Sequence, residues 1–378
     1  MTARPLEPRF LDRALELAER GRYGVSPNPM VGAVVVRAGR VVGEGYHRRA
    51  GGPHAEALAL SQAGRLARGG DLYVTLEPCN HSGRTPPCTD AILRAGIARV
   101  LFALPDPNPL VAGGGAAALS RAGVAARRAD AGRARLAARQ NEKFLVRASK
   151  GRPFVLAKWA STLDGRLADL GGASRWITGE AARRRALLLR EEYDAVLVGA
   201  QSVLTDDPRL TRRLGKALDR PHWRIVLDGR LRLPERARLL RRPRGVVVVT
   251  ARPVDSPKAR RLAARGIELW RLRGSPAGRV SIPELLERLA QRGVTSLMVE
   301  GGAGTHWSFF SAGVVDRVCA FVAPNLLGGV RAPAAVGGEG FRLPAAVRLE
   351  DVEVERVGSD LMISGRVAAR RRRAGRRR

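Results

Sequence analysis

His54-Ala55-Glu56, followed by Glu77-Pro78-Cys79 and then Cys88, gathers one imidazole, two thiols and acids within thirty-five residues. These ligand types are scarce in the 378-residue chain, which has five His (47, 54, 81, 222, 306) and three Cys (79, 88, 319). An imidazole and two thiolates supply three ligands of tetrahedral zinc and leave the fourth position open for water, the arrangement of catalytic sites. Two thiolates and a neutral imidazole cancel the ion's charge, so that water ionises near neutrality and attacks an electrophilic carbon. Glu56, two residues past the His, is then free to move protons. Glu77, beside Pro78-Cys79, reads as a structural acid. The competing reading is a closed structural knuckle with His81 as fourth ligand, in which Glu56 has no task.

The elements that must position these groups follow from punctuation and periodicity. His54 follows Gly51-Gly52-Pro53 and Cys88 follows Pro86-Pro87, so both stand where helices are expected to begin; helix N-termini favour thiolate. Apolar spacing predicts a helix over Phe10–Arg20, and 31–36 with 41–46 read as a hairpin. Strands are expected over 72–76 and 98–104, with a helix closed at Gly96 between them. This order implies a mixed sheet between helices. Near 147–153 the character changes. Strands are expected beyond it at 154–158, 195–199, 224–228, 245–250, 297–300 and 315–322, with helices at 180–192 and 282–291, a second α/β unit. Glu300-Gly-Gly-Ala-Gly304 joins a strand to a helix and could cradle phosphate, although it is not G-x-G-x-x-G. Cys319, inside an apolar strand, reads as a small buried hydrophobe.

The formal charge is +32. Five of the 67 basic residues are Lys and the remaining 62 are Arg, while aromatics are 4%. Abundant Arg, Ala and Gly with few stacking platforms argue for a solvated basic surface and against a dedicated nucleic-acid role. Eight Arg lie between Arg366 and Arg378, a stretch that reads as a disordered tail. No stretch approaches eighteen uncharged apolar residues, so no membrane span is expected. Three Cys, two of them wanted as thiolates, fit a reducing cytoplasm.

The order H-A-E then P-C matches the zinc-deaminase signature, with eight residues between the thiols instead of two. Pro27-Asn28-Pro29-x-Val31-Gly32, Gly43-x-Gly45-x-His47, Thr75 to Cys88 and Asp106-Pro-Asn108-Pro sharpen it. So do Lys158-x-Ala-Ser-Thr-Leu-Asp-Gly165, Ser174-Arg-Trp176, Gly199-x-x-Ser202, Asp206-Asp-Pro-x-Leu-Thr-x-Arg213 and Val299-Glu-Gly-Gly302. With these motifs the chain resembles the bifunctional riboflavin-biosynthesis deaminase/reductase family across nearly everything before the Arg tail. The resemblance implies an N-terminal cytidine-deaminase-like α/β/α domain over 1–149 and a C-terminal dihydrofolate-reductase-like α/β domain over 150–365, before a tail at 366–378. It implies one zinc, NADPH, and phosphoribosylaminopyrimidine substrates. By resemblance Asn28, His47, His81, Arg84 and Asn108 line the deaminase pocket. NADPH falls to Ser161, Trp176, Ser202, Asp206 and the turn Gly302, Ala303, Gly304, Thr305, His306, Trp307 and Ser308. The second substrate falls to Ser174, Arg190, Leu210, Arg213 and Glu300, the two Arg being suited to its phosphate.

The expectation is therefore a cytoplasmic enzyme, a dimer or tetramer, that first removes the 2-amino group of 2,5-diamino-6-(5-phosphoribosylamino)pyrimidin-4(3H)-one and then reduces the ribose C1′ with NADPH. His54, Cys79 and Cys88 hold zinc and Glu56 shuttles protons; Asp206, then Lys158, are the proton donors expected in the reductase, both placed at strand ends. Two other readings are a nucleic-acid deaminase with an accessory domain and a non-catalytic zinc module that binds RNA.

Overall fold

The computed structural model describes residues 5–81, 86–107, 114–213, 215, 222–275 and 278–369. The described chain divides into two compact units, one ending at Arg152 and the other beginning at Pro153.

The first unit runs α1 (Pro8–Glu19), β1 (Gly32–Arg37), β2 (Arg40–Tyr46), α2 (Ala55–Ala63), β3 (Asp71–Leu76), α3 (Cys88–Ala95), β4 (Arg99–Leu104), α4 (Gly114–Arg121), β5 (Ala125–Arg128), α5 (Ala131–Gln140) and α6 (Glu142–Lys150). Its sheet has the order β2-β1-β3-β4-β5. The strand β1 is antiparallel to both neighbours, whereas β3, β4 and β5 are parallel. Missing side chains explain how helices seat on both faces. A Cβ on Gly43 would lie 2.1 Å from the Ala59 carbonyl oxygen, and one on Gly45 2.4 Å from that of Ala55, so both glycines press against α2. Gly32 is 2.0 Å by the same measure from the Ala14 oxygen in α1. In register, Ala33 pairs with Gly45 and Gly32 with Tyr46, so successive residues of β1 face opposite helices. Leu11, Val34, Leu72 and Val100 fill the core.

The second unit runs β6 (Phe154–Thr162), α7 (Glu180–Glu191), β7 (Ala195–Gly199), α8 (Ala200–Asp206), β8 (Trp223–Leu227), β9 (Val246–Thr250), α9 (Pro257–Ala264), β10 (Glu268–Arg271), α10 (Ile282–Gln291), β11 (Ser296–Val299), α11 (Ala303–Ser311), β12 (Arg317–Ala323), β13 (Leu349–Val357) and β14 (Asp360–Val367). The nine strands are ordered β10-β9-β8-β7-β11-β6-β12-β14-β13. The seven from β10 to β12 are parallel, and β14 and β13 add an antiparallel ribbon at one end. The parallel strands are apolar on both faces, as Val-rich β9 shows by being wholly buried.

Three expectations need correction. Lys158 is not at a strand end, because β6 continues to Thr162 along β12, with Lys158 opposite Cys319. Asp206 closes a helix, α8, and not a strand. The tail expected from residue 366 does not start there: Arg366 and Val367 belong to β14, and Ala368 N–H donates to the Arg348 carbonyl. Residues 370–378, the rest of that expected tail, lie outside the described residues.

Candidate active sites

In the first unit β3 delivers Glu77-Pro78-Cys79, α2 begins directly after His54, and α3 begins at Cys88. His54 Nδ1 lies 3.1 Å from Cys88 Sγ and 3.7 Å from Cys79 Sγ, and the three donor atoms all fall within 4.8 Å of one another. Zinc with ordinary Zn–S and Zn–N bonds separates tetrahedral donors by about 3.5 Å, so this nitrogen-and-sulfur set fits that ion. His81 is exposed and does not join the cluster. A hydrogen bond with the Cys88 thiol, reinforced by His54 and the Cys88 amide, outweighs burial and brings the Cys79 thiol down to about 4. Cys79 in turn raises His54.

Glu56 sits in the first turn of α2 and is buried, and burial pushes its carboxyl above the ordinary value. His47 Nδ1 lies 3.0 Å from the Pro53 carbonyl, to which it donates. Its Nε2 is then free to accept from the Asn28 amide at 3.0 Å. Burial holds this imidazole below its usual value, consistent with a neutral ring. Asn28 and His47 are thus brought together beside His54, whose ring stands 5.8 Å from that of His47. Glu77 is structural, as expected: its carboxylate accepts the Asp106 N–H at 3.3 Å and the Ala116 N–H at 2.9 Å. Arg84 and Asn108 lie outside the described residues.

In the second unit a cavity of about 690 Å³ collects Lys158, Ser174, Trp176, Arg190, Asp206, Arg213 and Glu300, seven of the expected residues. Its floor is an ion pair. Arg190 on α7 grips Glu300 at 2.7 and 3.2 Å, with both side chains nearly buried. Burial opposes ionisation of Glu300 most strongly, but Arg190 and Lys158 prevail and bring its carboxyl to about 2. Two of the Arg190 nitrogens, Nε and Nη2, therefore face Glu300, and the residue still lines the cavity. Asp206 Oδ1 accepts from the Ser174 hydroxyl at 3.0 Å. Trp176 is 69% exposed, with the Arg183 guanidinium 4.4 Å over its ring.

The glycine turn caps α11 at Gly302. A Cβ on Gly301 would sit 2.4 Å from Thr305 Cβ, which is why glycine is needed there. A Cβ on Gly304 meets nothing within 4 Å, and one on Gly302 first meets Ser202 Oγ at 3.9 Å, leaving an open cradle at this helix N-terminus. The side chains of His306 and Trp307 turn into the core: His306 is fully buried with Nδ1 2.8 Å from the Ala335 carbonyl. Ser161 is also buried. Cys319 is buried as expected, and burial pushes its thiol up to about 11.

Leu210 has φ +53, and its carbonyl accepts from His222 Nε2 at 3.0 Å. Sequence reasoning passed over His222, whose scarcity was the available signal. It also missed Arg183, Arg209 and Arg238 of the cavity lining, which nothing marks among 62 Arg.

An open His/Cys/Cys cluster beside a buried acid in one unit, and an ion-paired cavity on a parallel α/β sheet in the other, make a two-site α/β enzyme. Residues 6–104 match the cytidine and deoxycytidylate deaminase zinc-binding region, and residues 153–363 match the RibD C-terminal domain. The riboflavin biosynthesis protein RibD of Aquifex aeolicus is 42% identical over 95% of this chain and 98% of its own length. Acinetobacter baumannii RibD superposes with a TM-score of 0.84 at 37% identity, covering 96% of this chain and 98% of that one. A diaminohydroxyphosphoribosylaminopyrimidine deaminase/5-amino-6-(5-phosphoribosylamino)uracil reductase from Thermotoga maritima superposes at 0.82 with 35% identity, covering 95% and 98%. The chain belongs to the RibD family, the bifunctional deaminase/reductases of riboflavin biosynthesis. Its first unit is cytidine-deaminase-like and its second is the family's dihydrofolate-reductase-like domain. Among the described residues no helix is long and apolar enough to cross a membrane.

Proposed function

We propose that the first unit deaminates 2,5-diamino-6-(5-phosphoribosylamino)pyrimidin-4(3H)-one and the second reduces 5-amino-6-(5-phosphoribosylamino)uracil at the ribose C1′. The convergence of His54, Cys79 and Cys88 beside buried Glu56 carries the first half. These three residues would hold zinc, which would supply the Lewis acidity for water attack at neutral pH. Glu56 takes one proton from the attacking water and passes it to a ring nitrogen, then takes the second from the new hydroxyl and gives it to the amine as the C–N bond breaks and the carbonyl forms. His47, kept neutral by burial and oriented by its bond to the Pro53 carbonyl, and Asn28 position the pyrimidine. A closed knuckle leaves Glu56 without a task, and a three-donor cluster does not close.

In the second unit Gly302 to Gly304 would hold the NADPH phosphates through backbone N–H groups, with the Ser202 hydroxyl beside them, and Trp176 offers its open face to a ring. NADPH supplies the hydride. Glu300, fixed by Arg190, binds the ribose hydroxyls with Ser174, and Asp206 or Lys158 protonates the departing ring oxygen. The protein works in the cytoplasm as a dimer or tetramer.

Cys88→Ser tests the metal assignment. It should lose zinc and ammonia release while NADPH oxidation on the deaminated substrate persists. Full zinc occupancy in that variant overturns it. For the reductase, Asp206→Asn keeps the Ser174 contact but carries no transferable proton; wild-type turnover would return Asp206 to a structural part.

A further inference from the structure

Beside the reductase cavity lies a smaller one of about 250 Å³, lined by Arg209, Thr211, Arg224, Arg238, Arg241 and Arg242. Arg209 and Arg238 line both cavities, so the two share a wall. One of the five guanidiniums is already committed. Arg224 is buried and donates to the carbonyls of Leu239, Arg242 and Arg244, which folds the Arg238–Arg241 turn over β8. The other four have no acidic side-chain partner among the described residues. Asp207, the nearest acid in sequence, accepts from the Arg238 backbone N–H at 2.7 Å. The positive field reaches the larger cavity, where burial together with Arg190, Arg209 and Arg238 holds the Arg213 guanidinium below its ordinary value.

Four like charges around one hollow repel unless an anion neutralises them. Guanidinium forks match phosphoryl oxygens in pairs, and Thr211 adds a hydroxyl. The volume falls below the ~300–1,000 Å³ of pockets for drug-sized molecules, which suits a phosphoryl group and not a nucleoside. We propose that this second cavity is a phosphoryl-anion site built from Arg209, Arg238, Arg241 and Arg242. Its occupant is either the substrate's own phosphate reaching through the shared wall or a free phosphate. The first of these sources rests on the reductase reading above; the site itself does not.

The test compares full-length wild type with the double variant Arg241→Ala/Arg242→Ala. Neither residue lines the catalytic cavity, and Arg224 bonds to backbone carbonyls that both substitutions preserve. Calorimetric titration with inorganic phosphate at constant ionic strength should show saturable binding that weakens at least about tenfold in the variant, as expected for lost charge-assisted hydrogen bonds. No saturable binding, or equal affinity in both proteins, overturns the site. Kinetics separates the sources. If the substrate's phosphate is the occupant, the variant raises KM for the phosphorylated substrate and leaves KM for its dephosphorylated counterpart unchanged. If free phosphate is the occupant, both KM values stay at wild type and inhibition by phosphate is relieved. A wild type that fails to reduce the phosphorylated substrate counts instead against the reductase reading.

Discussion

Glu56 must stay protonated part of the time and yet give its proton up, and burial in the first turn of α2 serves the first requirement. Glu56→Gln should keep full zinc content and lose deamination by at least the ~10²–10⁴-fold typical of a general acid–base group; near-normal ammonia release would place the shuttle elsewhere. Glu300 shows the opposite electrostatics. Its carboxyl is brought to about 2, so its ionised form stabilises the fold fully above the ordinary carboxylate value near 4.5 and progressively less as pH falls towards 2. Glu300→Gln strands Arg190 and should cost about 3 kcal/mol at neutral pH. The gap from wild type should narrow between pH 4.5 and 2 in denaturation of the reductase unit. A pH-independent gap would assign the loss to packing. The metal site was legible because His and Cys are rare in this chain. Seven residues of the reductase cavity were named only through the family resemblance; spacing alone does not mark it, because its guanidiniums differ from dozens of others only in where the fold points them, and the pairing of Arg190 with Glu300 spans 110 positions.

The strand β2 positions the deaminase site from behind. Gly43 and Gly45 let α2 lie against it, and α2 carries His54 at its cap and Glu56 in its first turn. Gly43→Ala would push a methyl into the Ala59 carbonyl, costing about 2 kcal/mol or more, and should weaken zinc retention without touching a ligand. Unchanged metal affinity would mean that the helix moves freely. In the reductase the segment from α8 to β8 depends on His222. Burial, with help from Arg212, brings this imidazole to about 4. The folded chain therefore leaves it neutral while the unfolded chain protonates it below about 6.5, and stability falls as pH drops from 6.5 to 4, by up to about 3 kcal/mol. His222→Gln, which can still donate to the Leu210 carbonyl, should flatten that slope in pH-dependent denaturation. Elements with apolar runs or clear helical periods were readable: the hairpin, β3, β4, β7, β9 and α10 fall where expected. Those without them were not. β5 is Ala-Ala-Arg-Arg and carries no alternation, whereas Asp351 to Glu355 of β13 alternates but buries neither face, so the reading passed it over.

Two units, each with its own core and its own family match, predict divisible activities. Residues 153–369 expressed alone should oxidise NADPH with the deaminated substrate, and a requirement for Glu56 would argue against separable sites. How this second unit is completed carries a cost during synthesis. β14 follows β13 in sequence but lies between β13 and β12, so every parallel strand can be in place while the outer edge of β12 still waits for residues 360–367. Until they arrive, the mostly buried run Val318–Ala323 borders on an open row of backbone donors and acceptors, a template for pairing with another chain. A nonsense codon or proteolytic nick just after Val357 would then do more than abolish activity. It should turn a well-behaved protein into one that collects in inclusion bodies, and adding back a peptide of β14 sequence during refolding should return part of it to solution.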